Sequence, residues 1–582
     1  MLSRWHVVVG VALAALAAWA SAMDVAGPYV GADFMWSKGY TGSGVEVGII
    51  DLFMADNSHP AIAGNFRGSF QFAKGARFVS SHATSVAGAV ASQDATWRGI
   101  APAAGWWSGQ TCNRGSNTTI RFQTTAAETF GQGLDAMAGN PAEVITMSIG
   151  VAGSTNGLDQ WSLALDHIAD TNGSVITVAA GNSGPGGNTI DGLPAGAYNI
   201  ITVGATGDTG GAVSQDYSNV AYYSSRGRTA DGRSKPDIVA PGSLIRMPDL
   251  GGGWTEASGT SFATPIVAGG AALLVQMGRD RAYSTDPKVI KGVLLNSARK
   301  LSGWTHTSWQ PLDIAQGAGE MDLRAAYRQY LSGERGPGAV PGIAWDRGVV
   351  AAGGQNLYDL DVDLPAGAVI TATLDWDRIV STDTEDIDKV IYSLSRLANL
   401  DLNLYGPGGS VASSSVSTID NVEHVYYTLP ATGRYQLGVR QDGGVAETYA
   451  LTWRVAPSGT PLAADANLDG RVNVDDLGIL ATNYGASDRT WFSADFTGDG
   501  LVNVDDLGIL ASNYDWARAV HGRTYRPEAK KQQKNQALHV TRPLHASVNC
   551  SSGGTPIPEP ATLSLLALGG LPAIRQRRRQ AR

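Results

Sequence analysis

Gly259-Thr260-Ser261-Phe262-Ala263-Thr264-Pro265, followed by the apolar run 266–277, is the stretch whose reading decides the fold. A serine behind Gly-Thr sits on a tight turn where a helix begins, with its own N–H unused by the helix ladder. That N–H, at the positive end of the helix dipole, can donate to a developing oxyanion. Behind it Ile266, Val267, Ala268, Ala271, Ala272, Leu273, Leu274 and Val275 are apolar on all faces. A helix apolar all round is a buried core helix, a rigid mount for a nucleophile. Pro265 is expected near the end of the first turn, where a missing donor costs least.

At 582 residues the chain is too long for one core and divides into several domains. Hydrophobic content of 43% and 73 glycines fit a globular, loop-rich protein. A net charge of −9 argues against a nucleic-acid partner. Cys112 and Cys550 lie far apart in segments of different character, which predicts neither a disulfide framework nor a zinc site. At the start, Arg4 precedes the apolar run 7–18, and Ala20-Ser21-Ala22 is a cleavage pattern. Residues 1–22 are therefore expected to be an export signal, outside the fold.

Residues 23–330 read as one α/β domain. β-branched runs alternate with helical stretches and glycine-rich loops, the pattern of a parallel sheet covered on both faces. Strands are expected over 45–50, 144–148, 175–179 and 200–203, and helices over 83–92, 161–171, 266–277 and 287–299. Ligands of such sheets bind beyond the carboxyl ends of the strands. The polar residues there are Asp51, ending the first strand, and Asn182, in Gly181-Asn182-Ser183-Gly184-Pro185. His82 begins a helix in Ser81-His82-Ala83-Thr84-Ser85. His59 is a rival base near Asp51, but Asn57-Ser58-His59-Pro60 has the look of a surface turn.

The order Asp51, His82, Asn182, Ser261, each in its local frame, resembles the subtilisin-like serine peptidases (subtilases). Gly99-Ile100-Ala101-Pro102, Ser224-Ser225-Arg226-Gly227 and Lys235-Pro236-Asp237-Ile238-Val239-Ala240-Pro241-Gly242 are further landmarks of that family. The resemblance implies that Ser261 is the nucleophile, that His82 is its base, and that Asp51 holds the imidazole. It implies that Asn182 donates its amide to the oxyanion opposite the Ser261 N–H, with no cofactor for catalysis. Ser148 and Gly150 resemble the edge that pairs with an extended peptide, and Ala180 and Gly181 resemble one wall of the primary pocket. Both segments are uncharged, which favours an apolar side chain before the scissile bond. The segment Tyr29-Val30-Gly31-Ala32-Asp33 resembles the start of a mature catalytic domain, leaving no room after Ala22 for the propeptide common in secreted relatives. The chain departs from the family at Leu52-Phe53, where Thr or Ser then Gly is usual. Ser81, Ala83 and Ser85 also replace family residues around His82. These bulkier neighbours are expected to narrow the cleft or shift Asp51.

After a Gly- and Pro-rich linker, 331–341, residues 342–456 alternate in twos. Ile370, Ala372, Leu374 and Trp376 share one face, as do Leu400, Leu402 and Leu404. This predicts an all-β sandwich or jelly roll. Over 457–516 a repeat follows. Asp465-Ala466-Asn467-Leu468-Asp469-Gly470-Arg471-Val472-Asn473-Val474-Asp475-Asp476 recurs over 495–506. Oxygens at loop positions 1, 3, 5, 9 and 12 with glycine at 6 are those of a Ca2+ loop. The ligands are Asp465, Asn467, Asp469, Asn473 and Asp476, then Asp495, Thr497, Asp499, Asn503 and Asp506, with backbone carbonyls from Arg471 and Leu501. The duplicated loop-then-helix form resembles a dockerin, a small α module, and implies a cohesin-like partner.

Residues 517–557 are polar and basic and read as a disordered spacer. Over 558–582, Pro558-Glu559-Pro560, the apolar run 561–574 and Arg575, Arg577, Arg578 and Arg579 resemble the PEP-CTERM sorting signal. Fourteen residues at ~1.5 Å each span about 21 Å, short of the roughly 30 Å of a hydrocarbon core. A transient membrane stop read by sorting machinery fits better than a permanent anchor. The leading expectation is thus a secreted or cell-surface endopeptidase acting on proteins or peptides and carrying a calcium-dependent docking module. The alternatives are a catalytically weak pseudo-peptidase that binds peptides, and a surface protein in which the peptidase fold is a spacer.

Overall fold

The computed structural model of the chain describes residues 23–71, 76–114, 120–122, 142–150, 153, 155–192, 194–207, 213–360, 363–386, 389–456, 464–466, 472–487, 489, 493–497 and 500–514. The expected export signal, basic spacer and sorting signal lie outside these residues.

Two short helices, α1 (Met23–Val30) and α2 (Ala32–Ser37), lead into a seven-stranded parallel sheet. Its strands are β1 (Glu46–Asp51), β2 (Phe66–Gln71), β3 (Gly105–Gln110), β4 (Val144–Met147), β5 (Val175–Ala179), β6 (Ile201–Thr206) and β7 (Ile238–Pro241), in the order β7-β6-β5-β4-β1-β3-β2. Strands β4 to β7 are buried along their whole length, because helices cover both faces. Those helices are α3 (Ser81–Ala91), α4 (Gln160–Asn172), α5 (Thr260–Arg281), α6 (Pro287–Ser297) and α7 (Leu323–Leu331). Side chains cap the N-termini of α3, α4 and α7. Ser80 accepts from the Ala83 N–H, Asp159 from Ser162 and Asp322 from Ala325. Gly173, at φ 68°, ends α4 in the left-handed region where a side chain would be strained.

The sheet departs from the sequence expectation in extent. Strands β2, β3 and β7 were not among those expected, and β3 lies between β1 and β2 near the sheet's edge. Its residues, Gly-Trp-Trp-Ser-Gly-Gln, carry no β-branched run to mark them. Helix α5 starts six residues earlier than expected, so Pro265 falls in the second turn rather than the end of the first. There its missing N–H leaves the Ser261 carbonyl without its ladder partner. The Ser148 hydroxyl fills the gap, donating to that carbonyl at 2.7 Å.

Beyond α7, two sheets share one core. One runs Gly338–Val340, Gln355–Leu360, Gln436–Gln441, Leu400–Tyr405, Val411–Ser415, and the other Ile343–Val350, Glu447–Ala456, Val369–Trp376, Val422–Thr428. Trp376, Leu402, Leu437, Trp453 and Tyr358 fill the space between them. The expected linker is partly structured, since Val340 is buried and Gly338–Val340 pairs in parallel with Gln355–Leu360. Ion pairs tie this domain to the first: Lys291 to Asp375 at 2.8 Å, Lys288 to Asp377 at 2.5 Å, and Arg378 to Asp166.

The repeats form two helices of one length, α8 (Val474–Asn483) and α9 (Val504–Asn513). Their N-caps, Asn473 and Asn503, share φ −142° and ψ −161°. The core between them is small: Ala464, Ala466, Val472, Leu480 and their counterparts Ala494, Phe496, Val502 and Leu510.

Candidate active site

Three strands of the sheet end at one place. Asp51, the last residue of β1, is 2% exposed, and its Oδ2 lies 2.6 Å from Nδ1 of His82 in the first turn of α3. Its Oδ1 accepts the Leu52 N–H at 2.6 Å, and its carbonyl accepts from the Thr111 N–H and hydroxyl. So fixed, the carboxylate accepts the Nδ1–H hydrogen bond and leaves Nε2 of His82 as the basic nitrogen. Burial alone would lower the His82 pKa, but the hydrogen bond and charge of Asp51 outweigh it and raise it above the ordinary histidine value. The imidazole stands 5.5 Å from the ring of Phe262, the neighbour of Ser261.

Ser261 is the second residue of α5, so its N–H has no carbonyl a turn earlier to bond. Asn182 follows β5. Its Oδ1 accepts from the Thr260 N–H at 2.9 Å and the Thr260 hydroxyl at 3.1 Å. An amide held by its oxygen presents its two N–H donors away from that contact. Asp51, His82, Ser148, Asn182 and Ser261 line one cavity of about 560 Å³. Donor, base and nucleophile thus meet in one water-accessible space, the arrangement that acyl transfer requires.

The departures beside Asp51 and His82 are absorbed. Phe53 packs edge-on against Phe78, with centroids 5.8 Å apart, and Ser85 donates to the Pro248 carbonyl at 2.9 Å. Leu52 and Phe53 line the cavity, and Asp51 keeps its bond to His82. His59 corrects another expectation. It is 2% exposed rather than on a surface turn. Nδ1 accepts from the Ala61 N–H, so Nε2 donates to the Gly253 carbonyl, and Trp254 covers the ring edge-on. Both nitrogens are used, which removes it as a base.

Of the expected substrate-binding residues, Ser148, Gly150 and Gly181 line the cavity, while Ala180 is buried behind it. Ser148 gives its hydroxyl to the Ser261 carbonyl, a positioning contact that sequence reading did not suggest. The two flanking segments are uncharged, but Asp191, from a third segment, lines the same cavity. A Cβ on Gly181, at φ +106°, would come within 2.4 Å of Cγ and Oδ1 of Asp191, and one on Gly150 within 2.6 Å of Oδ2. Those two glycines leave room for the carboxylate.

In the repeats, Asn467, Asp469, Arg471 and Asp499 lie outside the described residues. Asp465, Asp476, Asp495 and Asp506 are all buried. Asp476 accepts from Ala466 and Asn473, and Asp506 from Phe496, Thr497 and Asn503. Thr497 donates to Asp495, and the Leu501 backbone pairs with Ser487. Asn473 and Asn503 were expected as loop ligands. Their oxygens accept the N–H of Asp475 at 2.6 Å and of Asp505 at 2.7 Å, as helix caps.

Comparison with known proteins matches residues 42–319 to the model of the Subtilase family. Pyrolysin of Pyrococcus furiosus is 37% identical over 218 residues, 34% of this chain and 16% of that protein. Serine protease AprX of Bacillus subtilis is 33% identical over 283 residues, 45% of this chain and 62% of that protein. The chain therefore spans less than two thirds of either. Thermitase of Thermoactinomyces vulgaris is 32% identical over 275 residues, 46% of this chain and 85% of that protein. With nearly the whole of thermitase matched, and Asp51, His82, Asn182 and Ser261 all inside the matched segment, the chain belongs to the subtilase family of serine peptidases.

Proposed function

We propose that the chain is an endopeptidase that hydrolyses peptide bonds in protein substrates through an acyl-enzyme. Ser261 Oγ attacks the scissile carbonyl carbon as Nε2 of His82 takes its proton. Asp51, already bonded to Nδ1, stabilises the imidazolium. The tetrahedral oxyanion sits between the Ser261 N–H and the Asn182 amide. His82 then protonates the leaving amine, and water, activated by the same imidazole, releases the acyl group. The observation that carries this reading is the 2.6 Å bond from Asp51 to His82 in a cavity that Ser261 and Asn182 share. A pseudo-peptidase would not need that geometry. The test is a fluorophosphonate, which reacts only with an activated serine. Purified protein should be labelled at Ser261, and Ser261→Ala should abolish labelling and casein hydrolysis. A folded wild type that takes no label would favour the peptide-binding alternative.

We further propose that the repeats bind two Ca2+ ions and dock a cohesin-like module. The buried carboxylates Asp465, Asp476, Asp495 and Asp506 supply the all-oxygen donors that suit a hard cation. When bound, the ion would neutralise their charge and order the loops. Export by the N-terminal signal, and transient retention by a tail that sorting machinery reads, complete the proposal. The test is secretion, which should increase when residues 558–582 are deleted.

A further inference from the structure

We infer that the pocket beside the nucleophile receives a cationic side chain, arginine or lysine, from the substrate residue preceding the scissile bond, with Asp191 as its counter-charge. This rests on reading the cavity as a peptidase cleft, and it names the substrate class that the cleft selects.

Three observations converge on it. Asp191 lines the cavity of Ser261, His82 and Asn182, and among the described residues no lysine or arginine lines that cavity with it. Its carboxyl group lies against the α-carbons of Gly150 and Gly181, where a methyl would approach to 2.6 Å and 2.4 Å. These are the two strand-end segments expected to flank the substrate, so the charge sits between the pocket walls. Burial pushes the Asp191 carboxyl up to about 6, and no charge or hydrogen bond among the described residues opposes that shift. Its backbone N–H bonds the Ala180 carbonyl at 2.9 Å, which fixes the residue from behind.

A carboxylate kept short of water and without a cation gains most from one that a ligand delivers. Asp51, the other carboxylate of the cavity, already holds His82 and has no such demand. Guanidinium fits best because its planar fork can engage both carboxylate oxygens. The two titrations also match. His82 is a base only above its raised pKa, and by then Asp191 is ionised. The pocket is charged whenever the catalyst is active.

The experiment compares kcat/KM for peptide amides that differ only before the scissile bond: Arg, Lys, Leu and Phe. Active sites are counted with a neutral fluorophosphonate. Wild type should favour Arg and Lys over Leu and Phe. Asp191→Asn should collapse the Arg-to-Leu ratio by on the order of a hundredfold, and Asp191→Lys should invert it. Taken as a ratio, the acid limb due to His82 cancels. What remains should fall as pH drops through about 6, where Asp191 takes up its proton. A parallel arm measures benzamidine binding by calorimetry, with uncharged benzamide as control. Binding that depends on Asp191 in a chain without turnover would uphold the pocket and refute the endopeptidase reading. Turnover that favours Leu or Phe, with a ratio unmoved by Asp191→Asn and no benzamidine bound, would overturn the inference while leaving the peptidase standing.

Discussion

The catalytic domain and the duplicated loop-helix module both bury aspartates, by opposite means. Asp51 is a single charge. A histidine, two backbone N–H groups and a hydroxyl answer it or its carbonyl at the end of a strand. The apparatus around it is mounted on α5, buried over most of its length between sheet and helices. In the module, four described carboxylates are buried beside a core made mostly of alanines, two valines and two leucines. Apolar packing therefore sets the active site before any ligand arrives. The module has less apolar area for that, and on the proposed Ca2+ binding its order would draw on neutralised charge. One region is held by packing, and the other, on that proposal, would be held by ligation.

The comparison can be broken at several points. Asn182→Ala tests whether the packed site holds its donor in place for catalysis, and should cost roughly two to three orders of magnitude in kcat with little change in KM. That range comes from a subtilisin, so a loss under about tenfold would remove Asn182 from the oxyanion site. Ser148→Ala tests the patch over Pro265. It leaves the Ser261 carbonyl unsatisfied, which costs about 1 kcal/mol, or roughly fivefold in kcat. A neutral outcome would mean that the turn holds itself. A chelator should have the smallest effect on turnover, essentially none, while circular dichroism reports loss of the helix contributed by α8 and α9. Calcium should restore that signal. Activity that disappears with the chelator would show that the two regions are not independent.

Legibility in the sequence followed the same division. Strands β1, β4, β5 and β6 announce themselves by β-branched runs, and the long α5 by its apolar composition. Strand β3 does not, because its hydrophobic content is two adjacent tryptophans on opposite faces. Trp106 is buried and donates its indole N–H to the Ile62 carbonyl, and Trp107 donates to Glu46. His59 was misread because Asn-Ser-His-Pro is turn chemistry locally. What buries it is Trp254, from a hairpin almost two hundred positions later. Asp191 was missed for a related reason. It follows Asn182 through a glycine-rich loop, and only the folded chain brings it between Gly150 and Gly181. Ser261 and its helix could be read because a short local frame specifies them. The pocket could not, since three separate segments build it.

The contact between Asp191 and its two glycines also has a history written into it. A side chain at Gly150 or Gly181 would meet the carboxylate at 2.6 Å or 2.4 Å, so growth at either glycine must displace the Asp191 side chain. Asp191 itself can shorten to alanine or glycine in one step and release that constraint. At Gly150, change therefore has a preferred order, with loss of the charge first and growth of the wall after it. At Gly181 the left-handed backbone at φ +106° resists a side chain even then. Descendants of this sequence should drift by emptying the pocket's floor before they thicken its sides.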